Sequence, residues 1–417
     1  MTDLSVDAVP VPSSPNGFHP VDAANARDPH PALRELRATC PVSRVERDGL
    51  PPVVVLTRLA DIAEVYRDYR TFESIGFFPS LDAYNALDPA LRSIIELNPP
   101  DHTRVRRLSL LALKPGAVDA VLPYVGQVAK QLLRAVRRRG EAELVHDFAV
   151  PLPADAIAAV LGLPESDAEM IHDWVDSTFS EPAGDAPPPS AHARLARSEH
   201  FDAYLQEQID WRRRQPEPPD DAITRMLQFE GGGTFSDEQL VVHIRTLLMA
   251  GNETSTSLIS NAVYRLLSLP DAYARLHADR SLVAPFIEEC LRFDTPLTQQ
   301  PRRCVAPADI AGFRVEPDDV ISPHLPSANR DERVFGDDAD EFVIDRFVDR
   351  SVDHIAFGVG VHHCVGAHLA RRTAQIALGA VLDELPDLEL APGCEYDKVW
   401  FFQFWRPRRL DVRFTRR

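Results

Sequence analysis

The stretch from 236 to 270, SDEQLVVHIRTLLMAGNETSTSLISNAVYRLLSLP, limits the fold more than any other part of the chain. Ser236 with Gln239 fits a capping box, and Pro270 closes the run. The residues between predict one helix, roughly 50 Å long. A helix of that length crosses a whole domain, so the other elements must be arranged around it. Its ends are apolar, yet its middle reads Asn252, Glu253, Thr254, Ser255, Thr256, Ser257. A polar run of that length occupies every side of a helix, so some of these residues face the interior. Gly251 weakens the helix at the same place by about 1 kcal/mol relative to Ala. Two readings fit. Either hydroxyls bond back to their own backbone and bend the helix, or the run forms a polar notch over a buried site.

With 417 residues, 44% hydrophobic and 26% charged, the chain has room for one large core or two ordinary ones. Its formal charge of −18 repels phosphate, so no nucleic-acid partner is expected. The first twenty residues show no basic segment followed by an apolar one, and no apolar run approaches the roughly 18–20 residues of a membrane span. Neither a signal peptide nor a membrane anchor is expected. Cys40, Cys290, Cys304, Cys364 and Cys394 are odd in number, widely scattered and form no C-x-x-C pair. That pattern points to a reducing, cytoplasmic location.

Residues 1–25, rich in Pro, Ser and Asn, read as a flexible tail, with one domain over 26–417. PVVVLTR (52–58) reads as a strand and 59–72 as a short helix. A helix opens after Pro99 and Pro100, with Asp101 as its expected N-cap. Helices are expected over 119–139, 153–162, 166–179 and 193–214, the last two joined by the irregular EPAGDAPPPS. Residues 309–315 and 318–324 read as strands, and strand character returns at 401–404 and 410–414. The fold class is mainly α with a minor β component, in a single domain.

The second informative stretch is FGVGVHHCVGAHLAR (357–371). A Gly-rich loop running into a helix sets backbone N–H groups and a helix N-terminus beside Cys364, and both favour a thiolate. Gly358 and Gly360 permit close approach to a flat object. From Gly366, Ala370, Ala374, Ala377 and Val381 recur at helical spacing, so that helix packs inside. Three chemistries compete. Zinc could take Cys364 with His362, His363 or His368, but one sulfur at this spacing fits no finger pattern. A Cys–His catalytic pair is the second. The third is an axial thiolate to haem iron, which needs only one sulfur.

Phe357, Gly358, Gly360, His362, Cys364 and Gly366 spell F-G-x-G-x-H-x-C-x-G, which resembles the haem-binding signature of the cytochrome P-450 family. The resemblance implies the cytochrome P-450 fold, a single haem-enclosing domain, with haem b ligated by Cys364. It puts His362 on a haem propionate and His363 and His368 at variable positions. Glu289 and Arg292 match the family's E-x-x-R, a structural ion pair at helical i,i+3 spacing. Arg346 stands where the family carries the third partner. His102 and Arg106 match the H-x-x-x-R of its C helix and imply propionate contacts. Arg302, beside Arg303, implies another. AGNETS (250–255) resembles the oxygen-activation motif, with Ala250 and Gly251 against the haem and Glu253 and Thr254 as the acid–alcohol pair that moves protons. Ser255 departs mildly from the usual second threonine. The likeness runs from roughly residue 50 to the C-terminus.

A haem-thiolate monooxygenase that inserts one oxygen atom from O2 into a hydrophobic small organic substrate is therefore implied. Electrons would come from a separate ferredoxin or flavodoxin-type donor, because no reductase follows the haem motif. No Rossmann fingerprint binds a nucleotide, so NAD(P)H would act only indirectly, through a reductase. A monomer is expected. By resemblance, the substrate pocket takes Phe77, Phe78, Tyr84, Thr246, Met249, Leu297, Thr298, Gln299, Gln300, Phe401 and Phe402. Arg104, Arg107, Lys114, Arg371 and Arg372 would form the redox-partner face. Two alternatives stay open. One is atypical chemistry on the same scaffold: peroxide-driven oxidation, coupling, desaturation or rearrangement. The other is a non-catalytic haem-binding sensor or interaction protein.

Overall fold

The computed structural model describes residue 18 and residues 28–47, 50–76, 81–179, 191–230, 235–349, 353–396 and 404–416. Its spine is a helix of 32 residues, Asp237–Ser268. Ser236 and Gln239 form the reciprocal cap: each side chain accepts the other's backbone N–H, at 3.2 and 3.1 Å. At the far end Leu269 turns extended, as a residue before proline prefers, and Pro270 follows. The helices Pro151–Leu161, Ala191–Arg214, Val283–Phe293 and Ala367–Glu384 pack against this spine. Helix Pro115–Arg137 backs the last of them, and all but the sheet side belongs to one continuous apolar core.

The polar middle of the spine fastens irregular segments to it. Asn252 Nδ2 donates to Val150 O at 3.2 Å, and Thr256 Oγ1 donates to Ala149 O at 3.0 Å. Both carbonyls lie at the end of a single π-helical turn, Val145–Ala149. Two turns further along, Asn261 Nδ2 donates to Trp405 O at 2.8 Å and to Asp294 O at 3.1 Å. Buried side-chain polar groups thus satisfy backbone carbonyls that no helix or sheet would satisfy.

The strands lie beside this helical body. In chain order they are β1 Val42–Arg47, β2 Leu50–Leu56, β3 Phe72–Ser74, β4 Glu141–Glu143, β5 Arg302–Cys304, β6 Ala308–Ile310, β7 Phe313–Val315, β8 Val320–Pro323, β9 Glu389–Leu390 and β10 Asp411–Arg413. The main sheet has the order β1-β2-β8-β5-β3, with β2 and β8 parallel. A second sheet is ordered β4-β10-β9, and β6 pairs with β7 alone.

Several boundaries differ from the sequence expectation. The helix expected over 59–72 stops at Arg67, because Phe72 pairs with Cys304 in the main sheet. Asp101 is the first helical residue rather than the cap; Pro100 holds the cap position and no side chain caps there. The strand expected over 309–315 is a hairpin, turned at Ala311 and Gly312, both at positive φ. Most of the expected tail lies outside the described residues, but Phe18 is buried edge-on against His324 at 5.4 Å. Of the terminal strands, 401–403 lie outside the described residues, and Phe404 makes one bridge to Leu297. Among the described residues, no single helix is long and apolar enough to cross a membrane.

Two buried histidines away from the cysteine make stability depend on pH. His243 lies on the spine, 3.3 Å from Ser109 Oγ, and His324 packs on Phe18. Burial pushes both down to about 4. Unfolded, each titrates at about 6.5. Between those values the unfolded chain binds protons that the native state refuses, so stability falls as pH drops. The expected loss is about 1 kcal/mol per pH unit per histidine between about pH 6 and 4. Urea midpoints of the holoprotein across that range measure it. His324→Phe should flatten the slope, and an unchanged slope would contradict the assignment.

Candidate active site

Cys364 lies between a short 3-10 turn, Gly360–His362, and the helix Ala367–Glu384. Its N–H donates to Phe357 O at 2.9 Å, which closes the loop. Gly358 takes φ +64°, and a side chain there would meet nothing within 4 Å. Gly360 has a different reason to be glycine. At φ +77° a Cβ would stand 2.5 Å from Tyr66 O, so the close approach is to the backbone of helix Leu59–Arg67, not to a flat ligand. Gly251 is similar: its missing side chain faces Ile157 at 3.2 Å, so it packs the spine on helix Pro151–Leu161.

Cys364 is exposed at its surface although many protein atoms surround the sulfur. Burial raises the Cys364 thiol above its usual value; the Gly366 N–H, Arg106 and Arg371 pull it back only in part. The loop N–H and the two arginines favour a thiolate, as the loop-and-helix pattern implies, but burial outweighs them. A bound cation that takes sulfur as a ligand would deprotonate it outright.

Four nitrogen-bearing side chains gather beside it. His102 comes from the buried face of helix Asp101–Leu113, and Arg106 lies one turn on. The His362 ring lies tilted against that of His102, with ring centres 4.2 Å apart. Arg302, on β5, is 2% exposed, with its guanidinium 4.4 Å over Tyr66 and bonds to Gln300 O and Pro301 O at 3.2 and 2.9 Å. Burial, with the neighbouring cations, pushes His102 down to about 4 and His362 to about 2. Both buried Nε2 atoms lack a protein partner. Donors and positive charge converge here without an anion, which fits a ligand carrying carboxylates, as haem does with its two propionates. Arg303 does not join them. It points to the other face of β5 and pairs with Asp318 at 2.6 Å. No group of three or more His, Cys, Asp and Glu among the described residues could hold a metal, which disfavours zinc.

On the spine, Thr254 Oγ1 donates to Ala250 O at 2.7 Å. The backbone-bonded hydroxyl and the polar notch are therefore the same feature: its proton is used, and its lone pairs remain to accept. Thr246, Ala250 and Thr254 share one face at i, i+4, i+8. Glu253 points elsewhere. Its Oε1 accepts from Arg406 Nε at 2.8 Å, and both residues are buried. Sequence reasoning missed Arg406, whose isolated R-P-R-R context carries no signal.

Glu289 pairs with Arg292 at 2.7 Å and with Arg346 at 3.2 Å, all buried. The pocket residues scatter. Thr246, Met249 and Leu297 are half-buried, and Thr298 is buried. The Tyr84 hydroxyl accepts from Arg92 at 3.0 Å, Gln299 Oε1 accepts from Ser322, and Gln300 O receives Tyr66 and Arg302. Phe77, Phe78, Phe401 and Phe402 lie outside the described residues. Of the basic set, Arg107, Lys114 and Arg372 are exposed, and Arg104 stacks 4.1 Å over Phe235. Arg371 is no open charge: it is forked onto Glu288 at 2.7 and 3.0 Å. Arg70, which the sequence did not flag, joins Arg104 and Arg107 in lining a cleft of about 720 Å³.

The comparisons agree with this geometry. The family model "Cytochrome P450" matches residues 18–389. Cytochrome P450 107B1 of Saccharopolyspora erythraea is 33% identical over 392 residues, 91% of this chain and 93% of its own length. Cyclomarin C epoxidase CymV of Salinispora arenicola is 33% identical over 369 residues, 87% of this chain and 90% of its own. The solved structure of cytochrome P450 CYP109Q5 from Chondromyces apiculatus superposes with a TM-score of 0.83 at 30% identity, covering 96% of this chain and 98% of that one.

Proposed function

Because the chain belongs to the cytochrome P450 family of haem-thiolate monooxygenases, we propose that Cys364 is its iron ligand and that its substrate is a hydrophobic small molecule. The observation that carries this reading is the convergence of His102, Arg106, Arg302 and His362 beside Cys364, with two orphaned Nε2 atoms among them. Bound haem supplies the oxidation, its thiolate ligand favouring O–O cleavage.

The protein's own residues hold, orient and move protons. His102 and His362 would hold haem carboxylates from Nε2, and Arg106 and Arg302 would add positive charge to them. The Thr254 hydroxyl donates its hydrogen bond to Ala250 O, so its lone pairs accept from a water and fix that water beside the spine. Glu253 brings protons toward that water, and because Arg406 holds its Oε1 the relay runs as that bond loosens. Thr246 and Met249, a turn or two back along the spine, and Leu297 supply apolar contact to the substrate.

The electron donor, a ferredoxin- or flavodoxin-type protein, docks at the cleft lined by Arg70, Arg104 and Arg107. A basic patch on a chain of charge −18 attracts an acidic partner. Reduction should slow as salt rises, and Arg107→Glu should slow it further at low salt without altering substrate binding. Equal rates in the variant and at all salt concentrations would remove this docking site.

Thr254→Ala tests the proton path. The variant should keep haem and substrate affinity and still consume reductant, because neither needs the hydroxyl. Product per reductant should fall by up to about 100-fold, the low end for a positioned proton donor. Hydrogen peroxide should rise to match. Counting product, peroxide and reductant in one assay decides it; full coupling in the variant would refute the role.

A further inference from the structure

Glu288 lies on helix Val283–Phe293 next to Glu289, but the two carboxylates diverge. Glu289 faces the buried arginines, whereas Glu288 faces the loop that carries Cys364. Upstream of the cysteine, His354 Nε2 lies 3.1 Å from Glu288 Oε2. His354 Nδ1 accepts the Ala356 N–H at 3.3 Å, which leaves the ring proton on Nε2 to donate to Glu288. Downstream, Arg371 Nε donates to Oε1 at 2.7 Å and Nη2 to Oε2 at 3.0 Å. The Arg371 guanidinium also lies 4.4 Å over the Phe357 ring. Phe357 in turn accepts the Cys364 N–H at 2.9 Å. One carboxylate therefore ties together the two flanks of the loop, and the Arg371 it holds reaches back to the residue that closes that loop.

The electrostatics agree. Burial pushes the Glu288 carboxyl up, but the bonds from His354 and Arg371 outweigh it and hold it at about 2. Arg371 is also one of the cations acting on the Cys364 sulfur. Its position, set by Glu288, fixes how much positive charge the sulfur feels. The side chains of Glu288 and Arg371 are 22% and 34% exposed, and the partners that Glu288 joins, His354 and Arg371, are the two flanks of the loop. The effect of this pairing is local to the loop.

We propose that Glu288 is a positioning residue for the Cys364 thiolate, closing the ligand loop by joining His354 to Arg371. Loss of its charge lets the loop widen and frees Arg371, while the helical body stays folded. The inference rests on Cys364 being the ligand.

The test uses reduced, carbon-monoxide-bound holoprotein titrated with urea. The thiolate-type carbonyl band and the far-UV circular dichroism are followed in the same samples. In wild type the two transitions should nearly coincide. In Glu288→Gln, which keeps the shape and loses the charge, the band should disappear at lower urea while the helical transition stays in place. At the wild-type band midpoint, the thiolate-type fraction should be severalfold lower in the variant. The haem reduction potential should also move positive, because a nearby negative charge is gone. Arg371→Lys, which keeps the charge but not the fork, should open the same gap. The double variant should be no worse than the worse single, because both act through one clamp. Transitions that move together in both variants, or do not move at all, would overturn the proposal. Wild type without a thiolate-type band would instead refute Cys364 as the ligand.

Discussion

A carboxylate with no access to water, on a helix packed against the spine, organises the segment that leads into the cysteine loop. Glu289 accepts Arg292 Nε and Nη2 at 2.7 Å, the Val343 N–H at 2.8 Å and Arg346 Nε at 3.2 Å. Arg292 spends its remaining donors on the carbonyls of Asn329, Ala339 and Glu341. Arg346 spends its own on Asp338 and Glu341. A buried ion pair is costly unless every donor and acceptor is met, and removing one partner typically costs about 3–5 kcal/mol. Here the groups are met by backbone from an irregular stretch between 329 and 346. That stretch has little regular structure of its own, and the ion pair gives it a shape. It leads directly into the loop of Cys364, whose residue Ile355 donates to Asn329 Oδ1 at 2.8 Å. The position of the sulfur is thus inherited from a charge cluster that contains no ligand.

The spine plays the corresponding part for two other irregular segments. Its polar middle is destabilising for a buried helix taken alone. Each of the residues Asn252, Glu253, Thr254 and Thr256 finds a different partner: a carbonyl of the π-helical turn, a guanidinium of the C-terminal segment, its own backbone, and a second carbonyl of the same turn. One sequence feature therefore attaches two irregular segments and leaves a hydroxyl with lone pairs to accept.

Much of the fold was legible because local rules and tertiary demands agree. The cap of the spine, its end at Pro270 and the helices before 180 and after 190 follow from periodicity, capping and proline alone. Errors fell where a distant partner overrode local preference. Phe72 reads as helical until Cys304 claims it for a sheet, and seven residues with strand composition become a hairpin because Ala311 and Gly312 turn back. At the site, a specific spacing made Cys364 and His362 visible, and position in the chain order singled out His102, Arg106 and Arg302. The partner of Glu253 was not visible, since Arg406 lies 153 residues away. Nor was the engagement of Arg371, since an arginine on a helix next to a second one reads as surface charge until its carboxylate is known. Sequence spacing marks groups that act on a shared ligand; it does not mark groups that act on each other across the fold.

Cys364 as the iron ligand is best tested by replacing it with serine and recording the carbon-monoxide spectrum of the reduced protein beside wild type. The four groups on the carboxylate side are untouched by that change, so haem should still bind. Wild type should show the thiolate-type band, and Cys364→Ser should retain haem without it. A wild-type spectrum lacking the band, or a serine variant that keeps it, would contradict the assignment of Cys364.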